Sequence, residues 1–252
     1  MDWRTWHDNC AQPSSRMARR LQAVQTQIRA ALDSSPCGPL RVVSLCAGQG
    51  RDVLEVLADH PRRDEICALL VELDPRNTAL AAERALAVGL RHVEVVTADA
   101  SLTEHYLGMV PADVVLVCGV FGNITEEDVE RTVDACSQLC RTGGTVIRTR
   151  HRGAPDMVPL ICEWFETRGF ERQCLAEQHA GFGVGAHRFT GEPRPLVMGV
   201  HLFSFVGYDV LRQANGPCPH AIRSPPCPRQ PSSSPDGHIP NGTRFQERPP
   251  FL

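Results

Sequence analysis

Residues 41–52 read RVVSLCAGQGRD. Val42, Val43, Ser44 and Leu45 form a short apolar run, opened by two β-branched residues and suited to a buried strand. Cys46-Ala47-Gly48-Gln49-Gly50 then turns into the helical periodicity of Val53, Leu54, Val56 and Leu57. Gly48 and Gly50 lack a Cβ, so the backbone can approach a ligand closely, and the open N–H groups of the helix start face the same space. Strand, glycine turn and helix in this order predict a nucleotide pocket. Two further apolar runs end in acids: Ala68–Val71 leads to Glu72, and Val93–Thr97 leads to Asp99. Carboxylates at the ends of parallel strands accept the hydrogen bonds that ribose hydroxyls and an adenine amine donate.

The rest of the chain narrows the chemistry. Its 252 residues fit one α/β domain with extensions, and 42% hydrophobic content can fill that core. A formal charge of -3 gives no electrostatic reason to expect nucleic acid. All 26 cationic residues are arginine, which excludes lysine Schiff bases, a Walker lysine and a lysine general base. The 11 cysteines are odd in number and lie mostly inside apolar runs without a C-x-x-C pair. Together with the lack of a signal-peptide pattern, this predicts reduced thiols, a cytoplasmic location and no metal. No apolar stretch has the length of a membrane span.

Ser14 or Ser15 is placed to cap a helix reaching about Leu32, with Met17, Leu21, Val24, Ile28 and Leu32 on one face. Strands near 41–46, 67–72, 93–97, 113–118 and 144–149 alternate with helices near 51–60, 75–88, 125–141 and 155–168. This rhythm predicts a parallel sheet covered on both faces. Phe170–Leu175 and Met198–Val206 read as two further strands joined by a long loop, Glu177–Leu196. Beyond Tyr208 the pattern stops in a stretch rich in proline, serine and arginine. The organisation is therefore an N-terminal helical extension or lid (1–39), a catalytic domain (40–208) and a disordered tail (209–252).

Strand, glycine turn and helix, Glu72 some way on, and Thr97-Ala98-Asp99-Ala100 together resemble the class I S-adenosylmethionine-dependent methyltransferases. Against that family's D-x-G-x-G-x-G turn, Ser44 stands at the acid and Cys46 at the first glycine, while Gly48 and Gly50 match the other two. Ser44–Val53, Cys118-Gly119-Val120-Phe121-Gly122-Asn123-Ile124, Thr149-Arg150-His151-Arg152, Trp6-His7 and Val184-Gly185-Ala186-His187-Arg188 are similar to a group of bacterial methyltransferases of unassigned substrate. The resemblance implies an α/β fold with a seven-stranded, mostly parallel, Rossmann-like sheet, helices on both faces and S-adenosylmethionine as cofactor.

It also implies roles. Glu72 is expected on the ribose hydroxyls and Asp99 on the adenine amine, with Cys46, Ala47, Gly48, Gly50, Leu73, Ala100, Cys118 and Gly119 completing the donor set. Phe121 is expected against the adenosyl group or acceptor, and Asn123 and His151 are the expected catalytic pair, His151 as base. Trp6, His7 and His187 are expected at the substrate mouth. Asp52, in the first helical turn, reads equally as a dipole-complementing acid or a ligand. The absence of an N/D-P-P-Y/F segment and the acidic balance favour a small-molecule acceptor over nucleic acid. Two competing readings stand beside this one: an NAD(P)-dependent oxidoreductase, which needs a small residue where Val53 stands, and a non-catalytic nucleotide-binding scaffold.

Overall fold

The computed structural model describes residues 15–206; Trp6, His7 and the proline-rich tail lie outside the described residues. Strands β1 (Leu40–Leu45), β2 (Ile66–Glu72), β3 (Val93–Thr97), β4 (Ala112–Val117), β5 (Cys140–His151), β6 (Phe170–Leu175) and β7 (Phe182–Phe189) form one sheet ordered β3-β2-β1-β4-β5-β7-β6. Strands β1 to β5 pair in parallel, whereas β7 runs antiparallel to both β5 and β6.

Side chains alternate along each strand, so the sheet feeds two cores. Val42, Leu70, Leu116 and Ile147 pack beneath α1 (Arg16–Ser34), α2 (Arg51–Asp59) and α3 (Pro75–Ala87). Leu45, Val71, Val117 and Val146 pack on the opposite face beneath α4 (Glu126–Leu139) and α5 (Val158–Thr167). Burying both faces requires the near-continuous apolar runs seen in β1, β2 and β4.

Capping chemistry sets the helix ends. Ser15 Oγ accepts the Ala18 N–H at 3.0 Å and starts α1, whose Val24, Ile28, Ala31 and Leu32 are buried. Arg62 closes the other end by donating to the carbonyls of Leu32, Ser35, Pro36 and Gly38 at 3.3, 3.0, 2.7 and 2.8 Å. Thr125 caps α4 by accepting the Asp128 N–H at 3.3 Å.

The last strand is not where the sequence pattern puts it. The stretch expected as a loop contains β7, inserted between β5 and β6, while residues 198–206 form no ladder strand. They run as an extended strap: Leu202 N–H reaches Ser101 O at 2.8 Å, Val206 N–H reaches Asn123 O at 3.0 Å, and Leu202 and Phe203 are buried. Gly183 and Gly185 hide β7 in the sequence, because glycine is a poor strand former; their reason is steric. A Cβ on Gly185 would lie 2.8 Å from Arg148 Cζ, and one on Gly183 2.5 Å from Val158 Cγ2.

Candidate functional site

The sheet order reverses between β1 and β4, and the crevice at the carboxyl ends of these strands is where an open α/β sheet takes its ligand. The β1–α2 turn enters it with positive φ at three residues: Cys46 at 52°, Gly48 at 56° and Gly50 at 66°. Cys46 is the sole non-glycine with positive φ among the described residues, which is why a glycine stands there in the family pattern. At Gly50 the demand is also spatial, since a Cβ would sit 2.7 Å from Leu70 Cδ2 and 2.8 Å from Leu54 Cδ1.

Glu72 ends β2 beside this turn. Its carboxylate accepts the Gly48 N–H at 2.9 Å and the Asp74 N–H at 3.0 Å, tying two pocket turns to one side chain. Next to it Leu73 is 68% exposed, an apolar surface at the pocket edge suited to a flat base. After β3, Asp99 accepts both the N–H and the hydroxyl of Ser101, at 2.9 and 2.7 Å, and lies 3.7 Å from His201 Nε2. Partial burial opposes its ionisation, yet the Ser101 bonds and the His201 charge outweigh this and hold its carboxyl below the usual range. Ala100 is buried and its carbonyl accepts the Tyr106 hydroxyl.

At the end of β4, Gly119 N–H donates to Thr149 Oγ1 of β5 at 2.9 Å, which fixes the Cys118-Gly119 corner. Burial pushes the Cys118 and Cys46 thiols up, so both are neutral thiols and not nucleophiles. Asn123 Nδ2 donates to Gly119 O at 2.7 Å and braces the loop from within. Gly122 lies against the end of β5, its Cβ position 3.4 Å from His151 Cδ2 and 3.6 Å from an Arg150 nitrogen. His151 Nδ1 receives the Gly153 N–H at 3.1 Å, and its Nε2 is 2.9 Å from Arg150 Nη1. A neutral imidazole accepts at only one nitrogen, so these two contacts compete for it.

Two expected site residues lie elsewhere. Phe121 is 0% exposed and belongs to the core beneath α4, not to the crevice surface. His187 is not in a loop at the mouth but inside β7, fully buried and stacked on Phe165 with ring centroids 4.2 Å apart. Burial, then the Arg148 and Arg172 charges, drives its imidazole down to about 3 and keeps it neutral. Arg148 is 0% exposed; it donates to His187 Nε2, Gly183 O and Cys162 Sγ at 3.4, 3.3 and 3.0 Å. Asp52 lies in the first turn of α2, where it accepts the Val53 N–H at 2.9 Å and burial raises its carboxyl to about 6 against that bond and the Arg20 charge. Arg20 escapes a motif search, but its i, i+4, i+8 spacing with Val24 and Ile28 marks it as inward-facing.

No curated protein matches the chain by sequence. Among solved structures it resembles an O-methyltransferase family protein from Burkholderia thailandensis (15% identity, TM-score 0.55), over 69% of this chain and 56% of that one. It also resembles magnesium protoporphyrin IX methyltransferase from Synechocystis PCC 6803, solved with bound S-adenosylmethionine (12% identity, TM-score 0.53, 69% and 81% covered). A third is precorrin-6y C5,15-methyltransferase from Geobacter metallireducens GS-15 (14% identity, TM-score 0.50, 67% and 87% covered). At such identities the likeness is one of fold. The family comes from sequence: a model described as "Putative methyltransferase" matches residues 15–163, from the start of α1 into α5. The chain belongs to this methyltransferase family.

Proposed function

We propose that the protein transfers the methyl group of S-adenosylmethionine to a small-molecule acceptor. The observation that carries this reading is the clamp of Glu72 on Gly48 at the β1/β4 switch point, inside the segment that matches the methyltransferase family. The residues present fit the donor. Glu72 keeps acceptor capacity beyond the two N–H groups it holds, enough for ribose hydroxyls; Leu73 offers apolar surface to the base, and Asp99 an ionised acceptor at its edge.

When bound, S-adenosylmethionine supplies an electrophilic methyl carbon on a sulfonium that carries its own leaving group. The protein's task is then alignment and exclusion of water, not activation of the leaving group. The Cys118–Asn123 loop, held by the Gly119–Thr149 and Asn123–Gly119 bonds, forms the wall where donor and acceptor meet. His151, at the end of β5, takes the acceptor's proton where one must leave. Asn123 orders that wall and presents its remaining amide oxygen. The net charge of -3 favours a small acceptor over a polyanion.

Calorimetric titration with S-adenosylmethionine and S-adenosylhomocysteine tests the reading. Binding near 1 μM, about -8 kcal/mol, that weakens in Glu72→Ala supports it; a folded wild type that binds neither overturns it.

A further inference from the structure

The strap at residues 198–206 is tied to the loops that follow both β3 and β4. Val200 N–H reaches Thr103 Oγ1 at 3.0 Å, and Thr103 N–H returns to Val200 O at 3.1 Å. Leu202 N–H holds Ser101 O at 2.8 Å, and an antiparallel bridge pairs His201 with Leu102. At the far end Ser204 N–H donates to Asp128 Oδ2 at 2.9 Å and Val206 N–H to Asn123 O at 3.0 Å. Leu202 and Phe203 are buried between these anchors, so the backbone at His201 is fixed. The strap lies beyond residues 15–163, the segment that the family model matches, which makes His201 a contribution of this chain and not of that segment.

His201 meets Asp99 there. Asp99 Oδ1 accepts both bonds from Ser101, at 2.9 and 2.7 Å, while Oδ2 stands 3.7 Å from His201 Nε2. That separation exceeds a hydrogen bond, so the two atoms lie side by side without saturating each other. Their side chains are 46% and 48% exposed, which leaves both within reach of a ligand. A ring lone pair turned toward a carboxylate is repelled, so Nε2 carries a proton whether the imidazole is neutral or charged. One acceptor, Oδ2, thus stands beside one donor, Nε2–H. Ala98 N–H donates to Glu72 O at 3.0 Å, which keeps Asp99 next to the strand end that carries Leu73.

We infer that His201 is a second reader of the purine edge: its Nε2–H donates to the ring nitrogen beside the exocyclic amine, while Asp99 Oδ2 takes the amine itself. The inference rests on the donor reading above. Adenine presents a donor and an acceptor side by side, the amine with N7 on one edge and with N1 on the other, and the Oδ2/Nε2 pair is their complement. A 6-oxo purine would turn an oxygen toward the Asp99 carboxylate, so the pair selects the amino purine.

The test is calorimetric titration of S-adenosylhomocysteine and its 1-deaza and 7-deaza analogues, each of which replaces one ring nitrogen with C–H. Wild type is expected to bind at least one analogue roughly fivefold more weakly than the parent, the share of a single hydrogen bond. His201→Phe keeps a flat ring and removes the donor. It is expected to weaken the parent by that same factor and to close the gap with that analogue to within about twofold. His201→Gln restores a donor and is expected to reopen the gap; His201→Ala replaces His201→Phe as the readout if the latter does not fold. A gap that persists in the donor-less variant, equal losses on all three ligands, or no gap in wild type overturns the role of His201 and leaves the donor reading standing. Wild type that binds none of the three overturns both.

Discussion

The carboxylate of Glu72 accepts the N–H of Gly48 at 2.9 Å, so the residue that ends β2 also fixes the glycine turn that follows β1. The second oxygen holds Asp74 N–H at 3.0 Å at the start of α3. An amide in this position can accept with only one of its two terminal atoms. Glu72→Gln is therefore expected to loosen one of the two turns as well as lose a charged acceptor, and Glu72→Ala to loosen both. Bonds to a charged group contribute about 1.5–3 kcal/mol, so S-adenosylhomocysteine affinity should fall roughly tenfold to a hundredfold. Calorimetry on both variants checks this.

Gly50→Ala tests the turn itself. A side chain here meets both a left-handed φ of 66° and the methyls of Leu70 and Leu54 within 2.8 Å. Strain and overpacking together cost roughly 2–4 kcal/mol. For a domain of this size the melting temperature should drop by roughly 5–15 °C, measured by circular dichroism or calorimetry.

His187 predicts a pH dependence of stability. Its folded-state imidazole titrates at about 3, below the ordinary 6.5, because burial outweighs any gain from charging. At pH above 6.5 it is neutral folded or unfolded and its contribution is complete; as pH falls from 6.5 toward 3 the unfolded chain binds the proton first and stability is lost. The slope from this one group is about 1.4 kcal/mol per pH unit. His187→Gln keeps an acceptor for Arg148 and cannot titrate, so urea denaturation between pH 4 and 7 should show a flatter profile than wild type.

Asp52 carries the opposite sign. Its folded carboxyl is raised from 3.8 to about 6, so its contribution is fully present below pH 3.8 and lost as pH rises through 6. Without ligand, Asp52→Asn is expected to be more stable than wild type at pH 7 and to lose that advantage by pH 4. Denaturation of both proteins at the two pH values checks the crossover.

Arg62 ties the end of α1 to the β1 approach through four carbonyls between residues 32 and 38. Removing these donors leaves partly buried carbonyls unpaired, at a cost of roughly 1–3 kcal/mol. Arg62→Met should lower the melting temperature and speed proteolysis between residues 34 and 40, read by limited digestion with mass mapping.

Local chemistry along the chain determined the frame. The apolar runs of β1, β2 and β4, the Ser15 and Thr125 caps and the glycine turn specify their elements through nearest neighbours, and each forms where the pattern places it. The places of Glu72 at the end of β2 and Asp99 just after β3 were legible for the same reason: the apolar run fixes where its strand stops. Tertiary structure alone decided the rest. Strand β7 is apolar only in alternate positions and carries Gly183 and Gly185, whose missing side chains make room for Arg148 from another strand. His187 and Phe121 have site-like chemistry in sequence but sit in the core, because burial depends on which helices cover the sheet and not on adjacent residues. The seating of α1 on α2 belongs to the same class: it is made by Gln25, Arg51 and Glu55, residues far apart in the chain that no local pattern brings together.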